Sequence, residues 1–154
     1  MAKTNAARRR AFEKKQEQMR TGQAAQKQGE LAEMAFIYRA ESLGFDVAKP
    51  YGDSNRYDVV VRAGRQFWKV QVKSSSLMAW GNYRVHAERI ERGRVIPYTA
   101  DEIDFLAIYI IPEDTWFIIP VRAFAPHRSV HLYPRGTADG GRYEKYREAW
   151  WLME

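Results

Sequence analysis

The sequence predicts a single α/β domain: a helix, then mostly antiparallel strands, then a closing helix. Three observations predict it. The 154 residues are enough for one domain with its own core. Apolar side chains at Leu31, Met34, Ala35 and Tyr38 recur at helical spacing. Two pairs of β-rich runs are each joined by a short turn signal, Ala63-Gly64-Arg65 and Pro112-Glu113-Asp114.

The elements follow in order. Residues 1–28 are rich in Ala, Gln, Lys and Arg, good helix formers with almost no apolar face. They form a basic helical or flexible arm, with breaks expected at Gly22 and Gly29, ahead of a domain spanning 29–154. A helix over 30–43 ends at Leu43-Gly44, where the glycine caps it. Phe45–Ala48 is a short strand stopped by Pro50, and residues 50–55 are turn chemistry. Tyr57–Arg62 and Gln66–Lys73 form a hairpin. Asn82–His86 is a further strand, while Arg84–Arg94 reads as a charged loop. Phe105–Ile111 and Thr115–Pro120 form the second hairpin. Tyr143, Tyr146 and Trp150 fall at helical spacing, so a closing helix is expected over Arg142–Trp151, with these three side chains in the core.

Composition excludes several classes. Cysteine is absent, so there is no disulfide framework, no thiolate metal site and no cysteine nucleophile. No apolar run approaches the roughly 20 residues of a membrane span, and no secretory h-region follows Met1. A cytoplasmic location and no membrane partner are the expectation. The net charge of +6 is concentrated. Residues 1–28 hold eight basic and two acidic side chains, whereas the rest holds 17 of each. A basic arm on a neutral body favours a polyanion such as nucleic acid. A solubilising tail is the equal alternative on charge alone.

The first hairpin carries the chemistry. Side chains alternate faces along a strand, so Lys69, Gln71 and Lys73 share one face and Trp68, Val70 and Val72 the other. With the loop centred on Ala63-Gly64, paired residue numbers sum to 127. Asp58 then sits opposite Lys69 and diagonal to Gln71, about 7–8 Å away. Asp58, Gln71 and Lys73 gather on one face; Val59, Val61, Trp68, Val70 and Val72 form a core face. Hard cations such as Mg²⁺ take oxygen ligands. Asp58, the Gln71 amide and the Val72 carbonyl each offer one. Lys73 can orient a water and stabilise phosphate charge. The plainer alternative is an exposed Asp–Lys pair with a polar neighbour.

Lys27-Gln28-Gly29-Glu30-Leu31-Ala32-Glu33, then Tyr57-Asp58-Val59-Val60-Val61, then Val70-Gln71-Val72-Lys73 resemble the PD-(D/E)XK endonucleases. The match is to the branch associated with group I intron homing endonucleases, which is also similar to archaeal Holliday-junction resolvases. That branch carries Gln where most of the superfamily carries Glu or Asp, so Gln71 fits it. Residues 104–109, 117–120 and 146–150 resemble later segments of the same branch. The resemblance covers residues 27–151. It implies a restriction-endonuclease-like α/β core, a mixed β-sheet flanked by helices, and Mg²⁺-dependent (Mn²⁺ as a substitute) phosphodiester hydrolysis. By position it makes Asp58 the main metal ligand, Gln71 the second, and Lys73 the catalytic lysine. Glu33 is the helix carboxylate completing the site, with Val72 contributing its carbonyl. Glu30, one turn earlier, is a supporting carboxylate.

The implied function is a DNA endonuclease, site-specific in the homing manner. Alternatives are a DNA-binding module that kept the fold and lost catalysis, motivated by Gln71, and a nuclease for branched DNA. Cutting both strands with one site per chain predicts a homo-oligomer, a dimer or tetramer. Ser74, Ser75 and Ser76 follow the catalytic strand and can bond phosphate oxygens. Trp80, Asn82, Tyr83, Arg84, Arg89, Arg92 and Arg94 interleave aromatic and basic groups beside it, which suits DNA contacts. His127 and His131 are four apart, but Pro126 and the β-rich residues 129–133 argue against a helix, so they read as surface or structural histidines.

Overall fold

The computed structural model describes residues 2–137 and 140–154. It opens with one helix, α1 (Ala2–Ser42). Then come β1 (Asp46–Ala48), β2 (Val59–Ala63), β3 (Gln66–Ser75), β4 (Tyr83–His86), β5 (Glu88–Glu91), β6 (Arg94–Pro97), β7 (Phe105–Ile110) and β8 (Thr115–Pro120). A single-turn helix α2 (Val121–Phe124) and β9 (Ser129–Leu132) follow, and 3-10 turns sit at Ile111–Glu113, Glu144–Tyr146 and Trp150–Met153. No described helix is long and apolar enough to cross a membrane.

Five strands form the central sheet in the order β1-β2-β3-β7-β8. Only β3 and β7 run parallel, so the sheet is mixed, as the resemblance implies. Along β7, side chains alternate between two cores. Phe105 and Ala107 face one side with Val59, Val61, Val70 and Val72. Leu106, Ile108 and Ile110 face the other. The first core is covered by α1 through Ala32, Phe36 and Ala40, spaced one helical turn apart and all buried. Phe36 packs edge-on against Trp116 with centroids 5.5 Å apart, and against Trp150 at 5.4 Å. The second core is covered by the β4–β9 ribbon and α2, through Tyr83, Val85, Val130, Leu132 and Phe124.

Four expectations change. Gly22 and Gly29 do not break α1. Each costs about 1 kcal/mol against alanine, and the helix formers around them, with the docked C-terminal half, outweigh that. Gly44, at φ +92°, follows the helix end as expected. The stretch 84–94 is not a loop: β5 and β6 pair across a two-residue turn, Arg92 and Gly93, both at positive φ. This is the twist-matching hairpin turn. The ribbon is braced by Arg89–Glu102 at 2.6 Å and Arg56–Glu91 at 2.9 Å. The closing helix over 142–151 is absent. Arg147 pairs with Phe117, the Glu148 N–H donates to the Trp116 carbonyl, and Glu148 has φ +48°. Sheet-edge pairing wins over helical spacing there, although Tyr143 and Trp150 are buried as expected. Finally, the β2–β3 turn is Gly64-Arg65, so paired numbers sum to 129: Val59 faces Val70 and Ala63 faces Gln66. Gly64 at φ +59° takes the first central position that a two-residue turn reserves for glycine. A shift of two preserves face parity. Asp58 therefore stays on the expected face but comes abreast of Gln71 rather than Lys69.

Candidate active site

The site forms where the β2–β3 ladder runs out. The Asp58 N–H donates to the Val70 carbonyl at 2.9 Å. Its carboxylate oxygen Oδ2 then accepts the Val72 N–H at 2.8 Å, a bond a strand carbonyl would otherwise take. The same oxygen accepts from Gln71 Nε2 at 2.7 Å. Gln71 is the buried polar side chain among the described residues, 9% exposed. Its amide nitrogen also lies 3.5 Å from the Val72 carbonyl oxygen. One amide thus stands between a carboxylate and a backbone carbonyl.

Lys73 is two residues on, on the same face. Its Nζ lies 5.9 Å from the centroid of the Tyr98 ring, within cation–π range. Among the described residues it forms no ion pair with a carboxylate. Glu33 comes from α1, one residue past the buried Ala32, which turns it toward the sheet edge. Its Oε2 is 2.6 Å from Lys49 Nζ. That contact raises the Lys49 pKa, chiefly through the hydrogen bond. Glu33 and Asp58 both line two adjoining clefts of about 400 and 450 Å³. One runs under α1 past Gln71 and Lys73; the other lies beneath the 50–55 turn. Glu30 is exposed and pairs with Lys27 at 3.6 Å, away from both clefts.

Electrostatics mark Asp58. Burial pushes its carboxyl above the ordinary carboxylate value, the Glu33 charge adds to that, and the Val72 N–H, Lys73 and Gln71 oppose it. The Tyr98 hydroxyl, pushed up to about 12 by burial and then by the Asp58 charge, stays protonated.

These residues fit a hard cation. Among the described residues no three His, Cys, Asp or Glu side chains gather, so an oxygen cage must recruit neutral donors. The structure supplies them beside the Asp58 carboxylate: the Val72 carbonyl and the Gln71 amide, whose oxygen end replaces its nitrogen by a half-turn. A cation would also relieve the cost of a buried carboxylate facing Glu33.

The outlying candidates separate into two groups. Ser74 accepts from Gln28 Nε2 at 3.1 Å, and Ser76 donates to Gln28 Oε1 at 3.3 Å, tying α1 to the end of β3. Ser75 is half-buried; Trp80, Arg84, Arg92 and Arg94 are exposed. Tyr83 is buried in the second core with its hydroxyl 3.1 Å from Glu113, so its ring is not at the surface. Arg89 is bound to Glu102 and Glu91, which neutralise its charge internally. Asn82 is held by His131 at 3.0 Å. His131 lies on β9 and His127 in the loop before it, neither in a helix. Sequence reasoning did not single out Lys49, Tyr98 or Gln28 as partners of the site. Lys49 had a signal, a cation just before a proline turn. Tyr98 and Gln28 had none, because their partners lie 25 and 46 residues away in sequence.

Residues 23–153 match the family model described as PD-(D/E)XK endonuclease. Among solved structures, the chain is similar to a bacterial homing endonuclease, I-Ssp6803I. Identity is 33%, coverage is 80% of this chain and 88% of that one, and the TM-score is 0.69. It is also similar to Hjc, a Holliday junction resolvase of the archaeal hyperthermophile Archaeoglobus fulgidus. There identity is 16%, coverage is 70% and 85%, and the TM-score is 0.46. No curated protein matches the sequence.

Proposed function

Because the chain belongs to the PD-(D/E)XK endonuclease family, we propose that it hydrolyses phosphodiester bonds of DNA at Asp58, Gln71, Lys73 and Glu33, using Mg²⁺ or Mn²⁺. One observation carries this reading: the Asp58 carboxylate, the Gln71 amide and the Val72 carbonyl converge beside the Lys73 ammonium, which forms no ion pair among the described residues. Asp58, Gln71 and Val72 would hold the cation, with Glu33 reaching it from α1. A bound divalent cation supplies charge neutralisation and Lewis acidity at the phosphate. Lys73 points its ammonium at the developing phosphate charge and orients the attacking water. A bond forms from water oxygen to phosphorus and the bond to the leaving sugar oxygen breaks. The similarity to a homing endonuclease supports a site-specific enzyme. The first test is metal-dependent cleavage of a plasmid library by the purified protein; salt-sensitive binding without cleavage would favour the non-catalytic module.

Gln71→Glu probes the neutral ligand. It puts a second carboxylate beside Asp58, and a unit charge about 4 Å from a divalent cation is worth about 8 kcal/mol at an effective dielectric of ~20. Calorimetry is expected to show Mn²⁺ binding at least about tenfold tighter, after desolvation takes its share. Unchanged affinity would remove Gln71 from the ligand set.

The arm supports the same substrate. Every described side chain from Ala7 to Lys27 is exposed, and Ala2–Gln28 extends α1 by about 40 Å at helical rise. A polar helix this long is marginal alone, and its charge suits phosphates. Changing Arg8, Arg9 and Arg10 together to glutamine should lower the slope of log affinity against log salt by up to about 3. An unchanged slope would leave the arm without DNA. The exposed apolar positions Leu31, Met34 and Tyr38, on one side of α1, support a homo-oligomer, which light scattering would reveal.

A further inference from the structure

The link from β3 to β4 ends in a tight turn that holds a tryptophan out in water. Ala79 and Asn82 exchange both backbone hydrogen bonds, at 2.9 and 3.1 Å. Trp80 and Gly81 are left as the two central residues, at φ +54° and +78°. Two positive φ angles define a turn that favours Asn-Gly or Gly-Gly. A tryptophan at its first position is backbone strain. The side chain gains nothing from the fold in return: Trp80 is 99% exposed and Leu77, three residues before it, 82% exposed. Large apolar side chains ordinarily stabilise by burial. Strain and exposure on one residue, uncompensated by the fold, are features of functional positions.

The placement is specific. Ser76, just past β3, is bonded to Gln28 on α1, and Ser74 at the end of β3 lines the cleft with Lys73 and Gln28. Trp80 is six residues beyond Ser74 of the cleft wall, so the chain keeps its backbone within roughly 20 Å of that wall. The turn is anchored: Asn82 Oδ1 contacts His131 Nδ1 on β9 at 3.0 Å. Residues 74–87 contain no acidic side chain, and Arg84 is exposed just beyond the turn.

We infer that Trp80 is a stacking wedge for the DNA beside the scissile phosphate: its indole lies on a base face, with Leu77 against the neighbouring step. This rests on the DNA-cleaving reading above. DNA is the occupant that fits. Two side chains cannot supply the roughly 800 Å² per partner of a stable protein interface, whereas one aromatic ring is enough to hold one base. A tip without acidic groups, flanked by Arg84, can also approach a polyanion.

The test uses full-length protein carrying Asp58→Asn, so that bound DNA is not cut, and a short duplex selected by binding from a randomised pool. 2-Aminopurine is walked along that duplex. With Trp80 present, fluorescence is expected to change at one or two adjacent positions. Trp80→Phe should keep most of the change. Trp80→Gly should abolish it and weaken binding roughly 5- to 100-fold. The thermal midpoint of Trp80→Gly should be unchanged or higher, because glycine takes a positive φ freely. A structural tryptophan would instead lower the midpoint. Trp80→Gly that binds as before, with the fluorescence change intact, overturns the wedge alone. A change of oligomeric state in Trp80→Gly assigns the tip to a protein contact and overturns it also. If the parent selects no duplex at all, the DNA reading fails and the wedge with it.

Discussion

Asp58→Asn is expected to lower cleavage by about 10³-fold or more while making the folded protein more stable at neutral pH. The two effects share one cause. Burial, and then the Glu33 charge, raise the Asp58 pKa in the fold. A raised carboxyl pKa means that the native state disfavours the charged form relative to the unfolded chain. Stability therefore falls as pH rises from the unfolded-state pKa to the folded-state pKa, and the deficit is complete above both. Asparagine removes the charge and keeps an oxygen to accept the Val72 N–H. Thermal melts of the two proteins, without added metal, should place the variant higher at neutral pH, with the gap closing in acid. Mn²⁺ should raise the melting temperature of the wild type and leave the variant where it was. A variant that melts lower at neutral pH, or still cuts, would contradict this account of the site.

Lys73→Met is expected to reduce single-turnover cleavage by about 10²- to 10³-fold, the range seen when one preorganised donor to a developing anion is lost. Methionine keeps most of the stem's volume. Mn²⁺ affinity should not fall, because an ammonium offers the cation no lone pair and repels it. That split separates Lys73 from Asp58, whose loss removes both activities. Lys73→Arg should not restore the rate. A planar guanidinium spreads its charge over three nitrogens and cannot reproduce the compact point charge of an ammonium. Cleavage by Lys73→Met within a few-fold of wild type would reduce Lys73 to a bystander.

Much of this site is readable from residues alone, for a physical reason. Parity is robust: a strand exposes every second side chain, so Asp58, Gln71 and Lys73 share a face whichever even shift the register takes. Register is not robust. It depended on which two residues made the turn, Ala63-Gly64 or Gly64-Arg65, and Gly64 took the first central position. The β5–β6 ribbon was hidden because Glu88-Arg89-Ile90-Glu91 carries no alternating apolar pattern; ion pairs from Arg89 and Arg56 hold it. Tyr143, Tyr146 and Trp150 mimicked a helix because buried aromatics recur for more than one reason, and here Arg147 completes a sheet edge. Glu33 followed from the family pattern. Its pairing with Lys49 depends on a contact across 16 residues that no local rule contains. The continuity of α1 through Gly22 and Gly29 likewise depends on anchoring at its far end.

The alternation along β7 and β8 reaches beyond architecture. Phe105, Ala107, Trp116 and Ile118 belong to one core; Leu106, Ile108, Phe117 and Ile119 belong to the other. A single backbone wall thus serves two interiors, and neither can melt without stripping the wall from its neighbour. Unfolding should then be a single cooperative transition. Gln71 and Lys73 hang on β3, the strand beside that wall. Loss of the proposed site should accordingly coincide with global unfolding rather than precede it.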